Sequence, residues 1–342
     1  MTNRRLPAEW ELQSAVQLTF PHLDTDWADV IEEVMPCFLE IARTIARFQK
    51  VLIVCQNAME LRDQLGSEHI HNFQLVEAPS NDTWARDHGG ITIFESEKPV
   101  LLDFVFNGWG LKFPADKDNG ITRYLQTRYQ VFKAEIRHGG LVLEGGALES
   151  DGRGTLLTTA ECLLSPNRNP HLSKAEIEVQ LKSLFGLDRV LWLHHGYLAG
   201  DDTDSHIDTL ARFCDAETIA YVQCTDPADE HYDALKKMET ELQAFRMADG
   251  KPYRLVALPM AAACYDEAGQ RLPATYANFL IINGAVLVPT YGVPQDMAAL
   301  ELLRGCFPDR EIIGIDCRSL ILQHGSLHCV TMQYPEGVVL KN

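Results

Sequence analysis

Asn278-Phe-Leu-Ile-Ile-Asn-Gly-Ala-Val-Leu-Val-Pro-Thr290 decides the fold of this 342-residue chain. Two apolar runs, 278–282 and 285–290, flank Asn283-Gly284, a dipeptide that accepts the left-handed backbone of a tight hairpin turn. A helical stretch around 294–304 and a strand at 311–315 follow, so the unit reads as hairpin, helix, strand. The same order precedes it twice. Residues 141–159 give two short strands around Asp151-Gly152, then a helix near 173–185 and a strand at 190–193; residues 207–213 and 218–222 are followed by a helix through 229–247 and a strand at 253–258. An earlier copy runs through 91–94, 100–104, a helix near 120–129 and 131–135. The chain ends supply a fifth, in which 16–19 pairs with 327–332 and 51–54 is the last strand. Its helix, 25–48, has Val30, Val34, Phe38, Ile41 and Ile45 on one face and a kink at Pro36.

Units of roughly 50 to 70 residues repeated in this way predict an α/β protein built as a closed ring of modules, rather than a doubly wound sheet. No compositional shift or linker divides residues 1–342, which read as a single domain. Asp87, Glu144, His206, Asn278 and Cys329 each fall at or near the start of a unit's inner strand, so strands converging on one axis would bring them together.

Composition narrows the function. Thirty basic against forty-eight acidic residues give a net charge of −18, which argues against nucleic-acid binding and suits small cationic partners or simple solubility. The nine cysteines are odd in number and lack a C-x-x-C pair, so neither a disulfide framework nor a zinc ribbon is indicated, and a reducing, cytoplasmic setting is expected. Neither a signal-peptide core nor an apolar run of membrane-spanning length is present, so no membrane partner is expected.

The chemically able residues lie in four short motifs: Trp84-Ala-Arg-Asp87, Glu144-Gly-Gly146, His206-Ile-Asp208 and Gly325-Ser-Leu-His-Cys329. Cys329 stands in an apolar-flanked strand, where a buried inert thiol is the ordinary role, but Gly325 permits close backbone approach at the strand entrance. His328 reads as pointing to the opposite face from Cys329. His206 and Asp208, two apart on a strand, project together; the pair is either a proton-transfer couple or a histidine pinned by its aspartate. Asp201, Asp202 and Asp204 lack the spacing of a calcium loop, so no metal is expected there. They are either solvated acids or a receptor for a second positive charge on the substrate.

Taken together, the chain resembles the agmatine deiminases, which share their fold with the peptidylarginine deiminases and other guanidino-group-modifying enzymes. Besides the four motifs, the resemblance rests on Leu6-Pro-Ala-Glu-Trp-Glu11, Phe106-Asn-Gly-Trp-Gly110, Asp116-Lys-Asp118, residues 200–213, Pro289-Thr-Tyr291 and His328-Cys-Val-Thr331. It implies a five-bladed α/β propeller, or pentein, around a central active site. It also implies Cys329 as nucleophile, His206 as acid and base, Asp87 and Asp208 on the guanidinium nitrogens, and Glu144 and Trp84 lining the site. Asn278 joins the substrate-binding set, and Asp202 and Asp204 are the candidates for the far amine of agmatine. The reaction implied is hydrolysis of agmatine to N-carbamoylputrescine and ammonia, in polyamine synthesis or arginine breakdown, with no cofactor or metal. Free or peptidyl arginine as substrate, or a silent binder of cationic amines, are the alternatives. A homodimer or higher oligomer is implied as well. Two positions depart from the pattern: Ser326 stands where asparagine is expected and Ser205 where relatives carry glycine.

Overall fold

The computed structural model describes residues 4–340; the outermost residues of the 1–342 reading lie outside that span. Five mixed sheets carry the repeat seen in the sequence. In each, a strand pairs antiparallel with the next, and a helix then returns the chain to a third strand parallel to the second. Leu280–Ile282 pairs antiparallel with Ala285–Thr290, which pairs parallel with Glu311–Asp316 after the helix Gln295–Cys306. Glu149–Ser150, Thr155–Thr159 and Arg189–Leu193 repeat this around the helix Lys174–Phe185. Ala211–Phe213, Thr218–Gln223 and Arg254–Pro259 repeat it around Tyr232–Ala244. Ile91–Glu95, Lys98–Val105 and Glu135–Val142 do so around Ile121–Tyr129, with Arg4–Arg5 added at the edge beside Ile91–Glu95. The fifth sheet joins both chain ends: Thr331–Pro335 runs antiparallel to Gln13–Thr19, followed by the parallel strands Lys50–Cys55 and Phe73–Glu77. A two-stranded ribbon, Cys264–Tyr265 with Arg271–Leu272, stands apart from the repeat.

Local chemistry explains the elements. Ser173 and Glu176 form a reciprocal capping box at the start of the Lys174–Phe185 helix. The helix Ile31–Ala46 sinks Val34, Phe38, Ile41 and Ile45 fully into the core, each worth roughly 1.5–3 kcal/mol of transfer energy. It continues through Pro36, whose missing N–H removes one bond near the first turns. No helix among the described residues is long and apolar enough to cross a membrane.

The structure moves three expected boundaries. The strand expected at 131–135 begins only at Glu135, because 131–134 is tied across to Val338 and Leu340 at the other end of the chain. The strand expected at 327–332 is Thr331–Pro335, with Cys329 in the turn before it. The stretch 207–213 opens as a single 3-10 turn, Ile207–Thr209, before Ala211–Phe213. The last two shifts share a cause: backbone just ahead of the inner strands hydrogen-bonds to side chains and short turns rather than to a ladder.

Candidate active site

Five short turns, each leading into the first strand of a repeat, hold the site. Asp87 lies in the helical turn Ala85–His88 before Ile91–Glu95, and Glu144 caps the 3-10 turn Gly145–Ala147 before Glu149–Ser150. His206 caps Ile207–Thr209, Asn278 precedes Leu280–Ile282, and Cys329 precedes Thr331–Pro335. All five side chains are buried. The glycines of two motifs are required by space. A Cβ on Gly146 would sit 2.5 Å from His206 Nδ1 and 2.8 Å from Asp87 Oδ1, and one on Gly325 would sit 2.1 Å from the Trp84 ring.

Asp87 accepts hydrogen bonds from the Gly146 N–H at 3.0 Å and from Trp109 Nε1 at 3.0 Å. His206 stands between two carboxylates, 3.6 Å from Asp87 through Nδ1 and 3.7 Å from Glu144 through Nε2. These are ion-pair distances too long for hydrogen bonds, and neither ring nitrogen has a hydrogen-bond partner among the described residues. The side-by-side pairing of His206 with Asp208, read from the sequence as either a proton-transfer couple or a pinned histidine, is therefore not a hydrogen bond in the structure. Asp208 Oδ2 instead takes a 2.7 Å hydrogen bond from His328 Nδ1, and its Oδ1 is buried with no partner among the described residues. The physical reason is the 3-10 turn, which breaks the two-residue alternation of a strand.

Cys329 Sγ lies 3.4 Å from Asn278 Oδ1 and 3.9 Å from Asp208 Oδ2. The Asn278 oxygen also accepts from the His328 N–H at 2.8 Å, and Asn278 Nδ2 donates to the Asp208 carbonyl at 3.2 Å, so this amide holds the nucleophile turn against the His206–Asp208 turn. His328 is one of the residues sequence reasoning set aside. In the turn it faces Asp208 on one edge and Glu9 on the other, at 2.7 and 2.8 Å.

The electrostatics follow from burial and neighbours. Burial, then Asp208 and Asp87, push the Cys329 thiol well above its ordinary range. Burial raises Asp87 to about 6, with Asp208 and Glu144 adding to the rise and His206 opposing it. Burial disfavours the charged His206 ring, but Asp87, Cys162 and Glu144 together outweigh it and hold the ring well above the ordinary histidine range. Glu144 is kept low against burial by His206 and by Arg168, whose Nε contacts both carboxylate oxygens at 2.9 and 3.0 Å.

A cavity of about 140 Å³ opens onto Cys329, Asp87, Trp84 and Trp109, and further out onto Asp26, Asp82, Asp202 and His324. Asp202 lines it; Asp204 does not. The Asp204 carboxylate is taken by Arg168 at 2.5 Å and Lys112 at 2.7 Å. It acts as a bracket between the 201–205 loop and the 106–113 segment that brings Trp109 to Asp87. Asp82, absent from the sequence reading, reaches the cavity from the turn before Trp84, anchored by Trp27 Nε1 at 2.8 Å. Glu9, Trp109 and Arg168 were missed as well. Glu9 and Trp109 stood inside quoted motifs without a role, whereas nothing around Arg168 in the sequence marks it. Glu144, Cys162 and His206 bring metal-ligand atoms within 4.8 Å of one another, but Arg168 already supplies the cation on Glu144.

The model of the Porphyromonas-type peptidyl-arginine deiminase family matches residues 5–335. The chain belongs to this family. All the site residues above, from Glu9 to Cys329, fall inside the span matched by the Porphyromonas-type family. The chain is 32% identical to the agmatine deiminase of Pseudomonas aeruginosa over 97% of its own length and 95% of the relative's. A crystal structure from Porphyromonas gingivalis, provisionally named an arginine deiminase, has 56% identity and a TM-score of 0.95 over 98% of this chain and all of that one. A cysteine-to-serine variant of C. jejuni agmatine deiminase with substrate bound has 39% identity and a TM-score of 0.92, covering 98% and 97% of the two chains. The α/β fold is thus the one agmatine deiminases adopt.

Proposed function

We propose that this protein hydrolyses the guanidinium group of agmatine to N-carbamoylputrescine and ammonia through a covalent adduct on Cys329. The observation that carries the reading is a buried thiol surrounded by carboxylates: Cys329 lies 3.9 Å from Asp208, whose Oδ1 has no partner among the described residues, in a cavity shared with Asp87. A guanidinium is planar and protonated at any physiological pH, so its carbon is a weak electrophile. Asp208 and Asp87 can fork onto its N–H donors, fix its plane and hold its carbon against Sγ.

The bound cation favours the thiolate that the empty-handed carboxylates disfavour, so binding drives the Cys329 proton to solvent. Sulfur then adds to the guanidinium carbon, protonated His206 gives its proton to one nitrogen, and the C–N bond breaks to release ammonia. In the second half the same ring takes a proton from water as its oxygen adds to the thiouronium carbon, and the C–S bond then breaks as the adduct hydroxyl gives up its proton to the departing sulfur, leaving the ureido carbonyl and the free Cys329 thiol. The slack of His206, hydrogen-bonded to neither carboxylate, suits a group that must serve both steps.

Agmatine is favoured over arginine by the outer cavity. Asp26, Asp82 and Asp202 line it, and no Arg or Lys is among the described residues lining it. A terminal amine is attracted there, whereas the α-carboxylate of arginine meets like charge. The test is release of ammonia and ureido product from agmatine, arginine and a peptidyl-arginine in parallel, with Cys329→Ala as control. Turnover of agmatine alone, lost in the variant, is the expected result; turnover of arginine moves the substrate, and silence on all three removes the reading.

The same reading takes the five sheets as blades of a five-bladed propeller within a single domain, supported by the five site turns each preceding the same kind of strand. It takes the protein as a cytoplasmic homodimer. Nine free cysteines support a reducing setting, and sedimentation tests the dimer.

A further inference from the structure

His328 precedes the proposed nucleophile yet points away from the reaction path, into a buried chain of alternating charge. Its Nδ1 meets Asp208 Oδ2 at 2.7 Å and its Nε2 meets Glu9 Oε2 at 2.8 Å. Carboxylates only accept, so both contacts use the ring as a double donor. Glu9 is itself fixed on every side: Arg212 Nη2 donates at 2.9 Å, the Ile281 N–H donates at 2.7 Å to the other oxygen, and Arg86 stands 3.7 Å away. Arg212 continues to Glu149 at 2.7 Å and to the Phe279 carbonyl at 2.6 Å. The N-terminal segment, the nucleophile turn and three of the five sheets are thereby joined in one network through His328, Glu9 and Arg212.

We propose that His328, anchored by Glu9, is the positioning residue that sets the orientation of Asp208, committing Oδ2 to the protein so that Oδ1 is presented to the guanidinium. The carboxylate has one free rotor that matters here, and a short charge-assisted bond to one oxygen defines where the other lies. Without it, Asp208 can turn both oxygens elsewhere, and a displacement of about 1 Å at a binding group is enough to cost two orders of magnitude in rate. His328 touches neither substrate nor sulfur, so its effect passes entirely through Asp208. This rests on the guanidinium reading of the site, and deepens it.

Two substitutions separate positioning from bulk support. In His328→Asn the side-chain amide nitrogen falls near the position of Nδ1 and keeps the bond to Asp208. In His328→Gln it falls near Nε2 and keeps only the bond to Glu9. Agmatine affinity is measured by calorimetry in the Cys329→Ala background, alongside thermal midpoints. His328→Gln is expected to weaken binding by about tenfold or more, the scale of a charge-assisted hydrogen bond, and His328→Asn to stay within about threefold. Equal losses in both, or losses that follow the thermal midpoints, overturn the proposal. A second arm needs no substrate. With Cys329 intact, the pH midpoint of its alkylation by iodoacetamide, followed by peptide mass spectrometry, is expected to fall in His328→Gln, where Asp208 is released from its place beside Sγ, and to hold in His328→Asn. A midpoint unmoved in both variants overturns the positioning role. Failure of the Cys329→Ala parent to bind agmatine overturns instead the substrate reading, and the alkylation arm still decides His328.

Discussion

His206 and His328 are buried to the same degree, and each stands between two carboxylates, yet they are held in opposite ways. The His206 ring is 3.6 and 3.7 Å from its acids and hydrogen-bonded to neither. The His328 ring is 2.7 and 2.8 Å from its acids and bonded to both. An imidazole that must give and take protons needs access and freedom, whereas one that fixes a carboxylate needs short bonds on both edges. Composition and burial alone do not separate the two roles; about 1 Å of slack does.

Substituting each ring tests that contrast most strongly. His206→Asn is expected to lower kcat for agmatine by roughly 10²–10⁴, the usual weight of a general acid and base, while moving the thermal midpoint little. A fall below tenfold would remove His206 from proton transfer. His328→Ala is expected to lower agmatine binding and the thermal midpoint together. It strands the buried Asp208 carboxylate, while Glu9 keeps Arg212 and the Ile281 N–H, a loss of about 3–5 kcal/mol and hence a midpoint several degrees lower by differential scanning calorimetry. If the midpoint holds, the tight pairing is not what supports the hub.

The next effect in size is on pH. Asp87 is raised to about 6, so below that pH it is protonated and cannot accept from a cation. Agmatine affinity in Cys329→Ala is therefore expected to strengthen by up to about tenfold for each unit of pH gained below about 6, and to level off above 7. Folding is expected to respond in the opposite direction. Asp82, also raised to about 6, and Asp118, raised to about 7, bind protons more tightly folded than unfolded. Their contributions are complete below the ordinary carboxylate range near pH 4 and are lost as pH rises through about 6 and 7, so the ligand-free thermal midpoint should decline between about pH 4 and 7, and agmatine should counter the decline. An affinity independent of pH would place Asp87 outside the guanidinium site.

The smallest expected effects distinguish the two acids that the sequence grouped together. Asp202 lines the cavity, while Asp204 is bound by Arg168 and Lys112. Asp202→Asn and Asp82→Asn are expected to raise the agmatine KM by a few-fold, on the order of 0.5–1 kcal/mol each for partly exposed ion pairs. Asp204→Asn should instead act through the 106–113 segment, lowering kcat and stability together. A pure KM effect of Asp204→Asn would return it to the substrate.

Most of the repeat was readable because hairpin turns and apolar runs are local signals. Asn283-Gly284 and the capped helix Lys174–Phe185 needed no tertiary information. The strands near Cys329 and His206 were misplaced because their turns are defined by a side chain from another sheet: Asn278 binds the backbone of His328 and the carbonyl of Asp208. The departure at Ser205 gains a physical meaning only in the structure. Its φ is +62°, the left-handed region where glycine is easiest, and its N–H and hydroxyl reach Asp201 and Glu161 in partial return. Ser326, the other departure, hydrogen-bonds with the Tyr291 hydroxyl at 2.9 Å, a contact no sequence pattern announces.

By itself the sequence determined the repeating hairpin, helix and strand, the acidic character of the protein, and the short list of groups able to do chemistry, since periodicity, charge and residue type are properties of the chain. The tertiary structure alone decided which acid faces which histidine, that Asp202 and Asp204 part company, and that Glu9, Arg168, Trp109 and Asp82 belong to the site. Those assignments depend on hydrogen bonds of 2.5–3.0 Å between residues from about twenty to more than three hundred positions apart, and a difference of less than 1 Å in such contacts separates a proton carrier from a fixed support.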